Sequence, residues 1–138
     1  ASPVCIDAAG IRMGLTVCYD LRFPEIYRHY SAQGAALFTV PSAFTAKTGV
    51  VHWAPLLRAR AIENQCFVLA ANQGGRHVSG RDTWGHSMII DPWGEILASC
   101  ETGAQMVCAD LDLQAQADLR RDFPALQHIR LKPGNRYE

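Results

Sequence analysis

An α/β fold is predicted, with a mixed sheet whose parallel βαβαβ core is followed by a hairpin, and three observations carry that prediction. Three short apolar runs alternate with two helical patterns along residues 10–71. The runs are apolar almost throughout rather than alternating, as in parallel strands covered by helices. At Ser87 the chain changes character: two further runs flank Asp91-Pro92-Trp93-Gly94, which sets Asp at i, Pro at i+1 and Gly at i+3 of a type I turn.

The elements follow in order. Val4-Cys5-Ile6-Asp7 reads as a short strand before a glycine turn, and Gly10 to Val17 as a buried strand. Tyr19 to Glu25 reads as a tight turn entering a helix over Pro24 to Gln33, with Pro tolerated in its first turn, Ile26, Tyr27 and Tyr30 at helical spacing, and Gly34 ending it. Ala36 to Val40 is the second apolar run, closed by Pro41-Ser42 and a loop containing Thr45, Lys47, Thr48 and Gly49. Trp53, Leu56, Leu57 and Ala61 recur on one side of a helix from about Val51 to Asn64, and Phe67 to Ala71 forms the third run. Gly74-Gly75 and Gly80 mark a loop. Ser87 to Ile90 and Glu95 to Ala98 make the hairpin, Met106 to Leu111 one more strand, and Asp112 caps a short helix through Arg121 ahead of a polar tail.

Without an internal repeat or linker, residues 1–138 read as a single unit. Composition is that of a globular chain, 49% hydrophobic and 19% charged. Thirteen basic residues balance thirteen acidic ones, so no net field draws the chain to nucleic acid or anionic lipid. No apolar run is long enough to span a bilayer and no signal peptide opens the chain, which predicts a cytoplasmic protein without membrane or nucleic-acid partners. The five cysteines form no CxxC pair, which fits neither a disulfide framework nor a zinc knuckle, and Cys66, Cys100 and Cys108 beside apolar runs read as packing residues.

Cys18 stands apart. It ends the strand-like run Arg12 to Val17 and precedes a turn into a helix, a place where a side chain is held out of the packed layer beside free backbone N–H groups and a helix dipole. A thiol there is a candidate nucleophile; the alternative is a small buried hydrophobe.

Gly14-Leu15-Thr16-Val17-Cys18-Tyr19-Asp20-Leu21-Arg22-Phe23-Pro24-Glu25 closely resembles the nucleophile region of the nitrilase (carbon-nitrogen hydrolase) superfamily. Three later strings agree in order and spacing: Pro41-Ser42-Ala43-Phe44, Trp53 with Leu57 to Asn64, and Gly85 to Gly94. The wording is most similar to the Nit-type amidase branch. The resemblance implies an α-β-β-α sandwich of which this chain is the C-terminal portion, and hydrolysis of a non-peptide C–N bond in a small amide by a Glu, Lys and Cys constellation; the histidines and cysteines show no paired metal spacing and no nucleotide-binding motif occurs, so neither metal nor cofactor is expected. Cys18 matches the nucleophile, and Tyr19 would offer its backbone N–H to the oxyanion. The family's glutamate and lysine precede the nucleophile, so both are expected from an N-terminal half of the domain that this chain lacks, and the chain alone is expected to be inactive. Homo-oligomeric assembly is also expected.

Arg22 and Glu63 are expected either to pair, joining the nucleophile turn to the long helix, or to stand as separate surface charges. Ser42, Ala43 and Phe44 follow the second parallel strand and Asn72 the third, where pockets form at strand C-terminal ends; core packing and turn formation are the alternatives. A Cys and His dyad would need one of His29, His52, His77, His86 or His128 beside Cys18, with His86 the best candidate. Outside catalysis, the chain reads as a binding or assembly module whose half-sheet another polypeptide completes.

Overall fold

The computed structural model describes residues 2–131. β1 (Val4–Ala8) and β2 (Ile11–Leu15) form an antiparallel hairpin whose turn residues Ala9 and Gly10 both have positive φ, the left-handed pair that suits a two-residue hairpin turn. A one-turn 3-10 helix (Cys18–Arg22) leads into α1 (Pro24–Ala32), and β3 (Leu37–Thr39), α2 (Ala46–Asn64) and β4 (Phe67–Ala70) complete the parallel core. A small separate hairpin follows, β5 (Gly74–Arg76) with β6 (Asp82–Trp84). β7 (Met88–Ile90) and β8 (Ile96–Ser99) then add antiparallel strands, so the main sheet runs β1-β2-β3-β4-β7-β8. α3 (Leu113–Asp122) and a 3-10 turn at Ala125–His128 end the described chain.

The expected parallel core, hairpin and Asp112 cap are all present. Gly94 N–H bonds to the Asp91 carbonyl at 3.0 Å while Asp91 Oδ1 accepts from Trp93 and Glu95, as the turn chemistry requires. Asp112 Oδ1 accepts from Ala115 N at 2.8 Å.

Three expectations are corrected. α2 begins five residues before Val51, because Gly49, which reads as a breaker, instead lies flat against the Trp84 side chain inside the first turns. β5 and β6 fall where a loop was expected; three-residue strands rich in glycine leave no periodicity to read. Met106–Leu111 makes no ladder: it runs beside Leu69, Ala70 and Ile89, with Met106 and Cys108 exposed, so Cys108 is not a packing residue.

Cross-strand partners share a face of the sheet. On one face Phe38, Val40, Val68, Ala70, Met88 and Ile90 are buried under α1 and α2, which supply Tyr27, Tyr30, Trp53, Leu57 and Ala61. The 53, 57, 61 spacing is one helix stripe. Tyr30 lies on Gly14, where a Cβ would come within 2.6 Å of its ring, and its hydroxyl donates to the Leu15 carbonyl at 2.6 Å. The opposite face carries Val4, Ile6, Met13, Leu15, Leu37 and Leu69, with Val4 and Ile6 open to solvent. α3 seals the N-terminal ends of β3 and β4: Gln116 Nε2 donates to the Ala36 and Gln65 carbonyls, and Arg120 to those of Ala35 and Gln65. No helix among the described residues is long and apolar enough to cross a membrane.

Gly49 decides a sign. In an exposed helix interior Gly→Ala stabilises by up to about 1 kcal/mol. Here the new methyl would sit 2.3 Å from Cβ and Cγ of Trp84. Gly49→Ala is therefore expected to destabilise the native protein by about 1–3 kcal/mol in chemical denaturation, with the loss largely relieved in a Trp84→Ala background.

Candidate active site

β2 ends at Leu15, and the chain turns out of the sheet at Val17 and Cys18. Thr16 still belongs to the sheet edge: its N–H and hydroxyl both donate to the Thr39 carbonyl, and its hydroxyl meets Tyr27 Oη at 3.0 Å. Burial raises the Tyr27 phenol far above its ordinary range, so it remains a neutral partner. Cys18 then adopts φ +48°, a left-handed conformation that a non-glycine residue occupies at a cost of about 1–2 kcal/mol.

Four bonds hold this bend. Cys18 N–H donates to the Pro41 carbonyl at 2.8 Å, tying the end of β2 to the loop after β3. Asp20 Oδ2 accepts from Val17 N–H at 2.8 Å. On the far side, the buried Arg60 of α2 directs Nε and Nη2 to the Leu21 carbonyl at 3.1 and 2.8 Å. Its remaining Nη1 pairs with Glu63 at 3.1 Å, and its plane lies over the Tyr27 ring.

The Cys18 side chain is half-buried and its sulfur has no hydrogen-bond partner among the described residues. Beside it, the Tyr19 N–H likewise meets no acceptor among the described residues, while the Tyr19 ring is exposed. Arg22 passes between two aromatic rings, its Cζ 5.3 Å from the Tyr19 centroid and 5.2 Å from that of Phe44, and Nη1 lies 3.3 Å from His52 Nδ1. Among the described residues Arg22 has no carboxylate partner. Of the two expectations for Arg22 and Glu63, the pair does not form: Glu63 belongs to Arg60, three residues before it on the same helix, and Arg22 lies over the Tyr19 ring.

The loop after β3 is pinned from several directions. Ser42 bridges to Asn72 in parallel fashion, donating to the Ala71 carbonyl and accepting from Gln73 N–H. The Ala43 carbonyl accepts from Arg81 at 2.8 Å, and the Phe44 carbonyl from Trp84 N–H at 2.9 Å. Asn72 is buried, its Oδ1 taken by Phe44 N–H at 2.9 Å and its Nδ2 by the Gly85 carbonyl at 2.6 Å. Its amide therefore shapes the loop. Phe44 is buried against Trp53, ring centroids 4.9 Å apart, with one side under Arg22. Ser42 and Ala43 remain partly open.

No histidine takes the place of a base at Cys18 among the described residues. His86 Nδ1 is bonded to the Trp84 carbonyl at 2.7 Å and its ring stacks on Trp84 at 4.0 Å, while the His86 carbonyl accepts from Trp53 Nε1. His52 faces Arg22. No three His, Cys, Asp or Glu side chains converge among the described residues. Lys47 is exposed in the first turn of α2, and Lys132 lies outside the described residues. Arg60 is the neighbour of the Cys18 turn that sequence spacing missed. Its signal was present, since it shares the Arg58 to Asn64 string with Glu63, but charge spacing alone does not say which arginine turns inward.

A thiol on a strained turn, next in sequence to an unbonded amide and with an arginine lacking a carboxylate partner at the end of the same turn, is an arrangement suited to attack on a carbonyl carbon and to holding the resulting oxyanion. The comparisons with known proteins agree with that chemistry. Residues 2–121 match the family model described as carbon-nitrogen hydrolase. The chain is 50% identical over 129 residues to deaminated glutathione amidase from Homo sapiens, covering 94% of this chain and 39% of that protein. It superposes on the crystal structure of the Caenorhabditis elegans NitFhit protein with TM-score 0.89 at 48% identity, covering 91% of this chain and 31% of that one. It also superposes on an amidase from Nesterenkonia sp. AN1 carrying acrylamide added at its active-site cysteine, with TM-score 0.74 at 30% identity over 90% of this chain and 48% of that one. The chain thus spans well under two thirds of the length of each of these relatives. Its sheet and covering helices form one αβ layer pair of the nitrilase-type α-β-β-α sandwich, and the chain belongs to the carbon-nitrogen hydrolase family, in its Nit branch.

Proposed function

We propose that this chain carries the nucleophile half of a thiol amidase that hydrolyses a non-peptide C–N bond in a small amide. The supporting observation is Cys18 in left-handed conformation with the unbonded Tyr19 N–H beside it. In the proposed reaction the Cys18 thiolate adds to the amide carbon, and the carbonyl electrons move to oxygen, where the Tyr19 N–H stabilises the charge. The tetrahedral intermediate collapses, the C–N bond breaks and nitrogen leaves protonated. Water then adds to the thioester and releases the acid and the free thiol.

The base glutamate and the lysine of this chemistry come from sequence outside the chain, in the same domain. They would approach over the open face that carries Val4 and Ile6. Ser42, Ala43 and Phe44 form one wall of the pocket, with Asn72 fixing its shape. Arg22 selects substrates: a half-buried guanidinium without a carboxylate partner beside the nucleophile suits an amide that itself carries a carboxylate. This agrees with the similarity to deaminated glutathione amidase. The protein works in the cytoplasm as a homo-oligomer in this reading.

Three outcomes test the proposal. Cys18→Ala in the native protein should lower kcat by at least about 10³-fold and abolish the acyl adduct that mass spectrometry of a quenched reaction finds on the peptide containing residue 18. Undiminished turnover would remove the mechanism. Arg22→Met should raise KM for carboxylate-bearing amides by about 10-fold to 100-fold, corresponding to a charge-assisted bond of about 1.5–3 kcal/mol, and leave KM for neutral amides near its original value. The isolated 138-residue chain should hydrolyse no amide and should bind an apolar dye or self-associate in sedimentation; a compact monomer that binds no dye would favour a face that needs no covering.

A further inference from the structure

The Cys18–Arg22 turn is too short to satisfy its own ends. In a helix the last carbonyls lack intrahelical partners, and when buried they must find others. The carbonyl of Leu21, itself fully buried, finds both forks of Arg60. Arg60 is 5% exposed, and its charge is balanced by Glu63, whose Oε1 also accepts from Asn64 Nδ2. The backbone around it is fixed as well: Arg28 Nη1 donates to the Glu63 carbonyl and Asn64 Nδ2 to the Arg60 carbonyl. The same guanidinium lies over Tyr27, whose hydroxyl meets Thr16 two residues before Cys18. One cation therefore touches the polypeptide on both sides of the strained residue, three positions after it directly and two positions before it through Tyr27.

We propose that Arg60, held by Glu63, is a positioning residue for the Cys18 nucleophile, keeping the left-handed turn in place so that the sulfur and the Tyr19 N–H face one substrate atom together. Its effect on amide turnover rests on the thiol-amidase reading; its effect on the presentation of the Cys18 sulfur does not. Arg58 supplies the comparison. It lies on the same helix and makes a bond of the same kind, Nε to the Gly94 carbonyl at 2.7 Å, but that bond ties α2 to the β7–β8 turn, away from Cys18.

The experiment measures, in the native protein well below its melting temperature, the rate of iodoacetamide labelling at Cys18 by peptide mass spectrometry, together with kcat and KM, for Arg60→Met, Arg60→Lys, Glu63→Gln and Arg58→Met. Arg60→Met should reduce Cys18 labelling and kcat by about tenfold or more with KM changed much less, because misplacement of a reacting group acts on the chemical step. Arg60→Lys, which keeps the charge but not the fork, should recover part of the loss, and Glu63→Gln should fall between it and the parent. Arg58→Met should lower the melting temperature yet leave labelling and kcat near the parent values. Equal losses for Arg58→Met and Arg60→Met, or unchanged Cys18 labelling in Arg60→Met, would overturn the proposal. Should Arg60→Met not fold, Arg60→Lys and Glu63→Gln carry the same test: labelling equal to the parent in both defeats it. Labelling that falls in the Arg60 variants of a protein without amidase activity would defeat the reaction assigned above and leave the positioning role intact.

Discussion

A non-glycine residue in the left-handed region persists only where its surroundings over-determine it, and Cys18 is the point at which this structure meets that requirement. The conformation costs about 1–2 kcal/mol. Against it stand a backbone bond to Pro41, a bond from the Val17 N–H to the Asp20 carboxylate, and a two-pronged bond from a buried guanidinium to Leu21. Bonds to charged groups contribute about 1.5–3 kcal/mol each, so the anchors outweigh the strain with margin. Removing one partner of the buried pair would also leave the other charge desolvated, which is why Arg60 and Glu63 act together.

The same logic extends outward from the turn. Pro41 can serve as acceptor for Cys18 only if its own loop is fixed, and that loop has no regular secondary structure of its own. Its backbone groups are met by side chains and strand ends from elsewhere: Asn72 on Phe44, Arg81 on Ala43, Gln73 and Ala71 on Ser42, Trp84 on Phe44. The β5–β6 hairpin supplies two of these. It is docked in turn by Trp84 lying on the bare backbone of Gly49 in α2. Precision at Cys18 thus derives from a short hairpin and a helix that have no direct hydrogen bond to it, a rigid support of the sort a reactive site on a loop requires.

How much of this a reader of the sequence could see depended on range. β2, β3, β4 and the Asp91 turn were legible because their signals are local, being apolar runs and turn residues at fixed offsets. Cys18 was legible through its position after β2 and through the motif around it. The start of α2 was not, since Gly49 argues locally against a helix and only Trp84, 35 positions later, explains it. Met106 to Leu111 has the residues of a strand, yet a strand exists only with a ladder partner, and the described residues offer none. The arginine that reaches the turn was ambiguous for a related reason. Arg22, Arg58 and Arg60 are chemically alike in sequence, and burial distinguishes them: Arg60 lies on the Trp53, Leu57 and Ala61 side of the helix and turns inward, while Arg58 and Arg22 remain nearer solvent.

The polarity of the parallel strands gives two thiols of this sheet opposite surroundings. At the C-terminal ends of β2, β3 and β4 the chain opens into loops with unbonded groups, and Cys18 lies there, half-buried and with its sulfur free of hydrogen bonds among the described residues. Cys66 precedes β4 at the opposite, N-terminal end. There α3 closes the sheet with Gln116 and Arg120, and the Cys66 thiol is fully buried within reach of the Ala35 and Asn64 carbonyls, 3.2 Å from each. Burial pushes that thiol up to about 12, only partly opposed by the Arg120 guanidinium 3.1 Å away, so at neutral pH it stays a protonated donor. Two cysteines in one small sheet therefore have opposite fates. What separates them is the end of the strand at which each stands: one end is sealed by a helix whose Gln116 and Arg120 engage the Ala35, Ala36 and Gln65 carbonyls, and at the other the Tyr19 N–H and the Cys18 sulfur have no partner among the described residues.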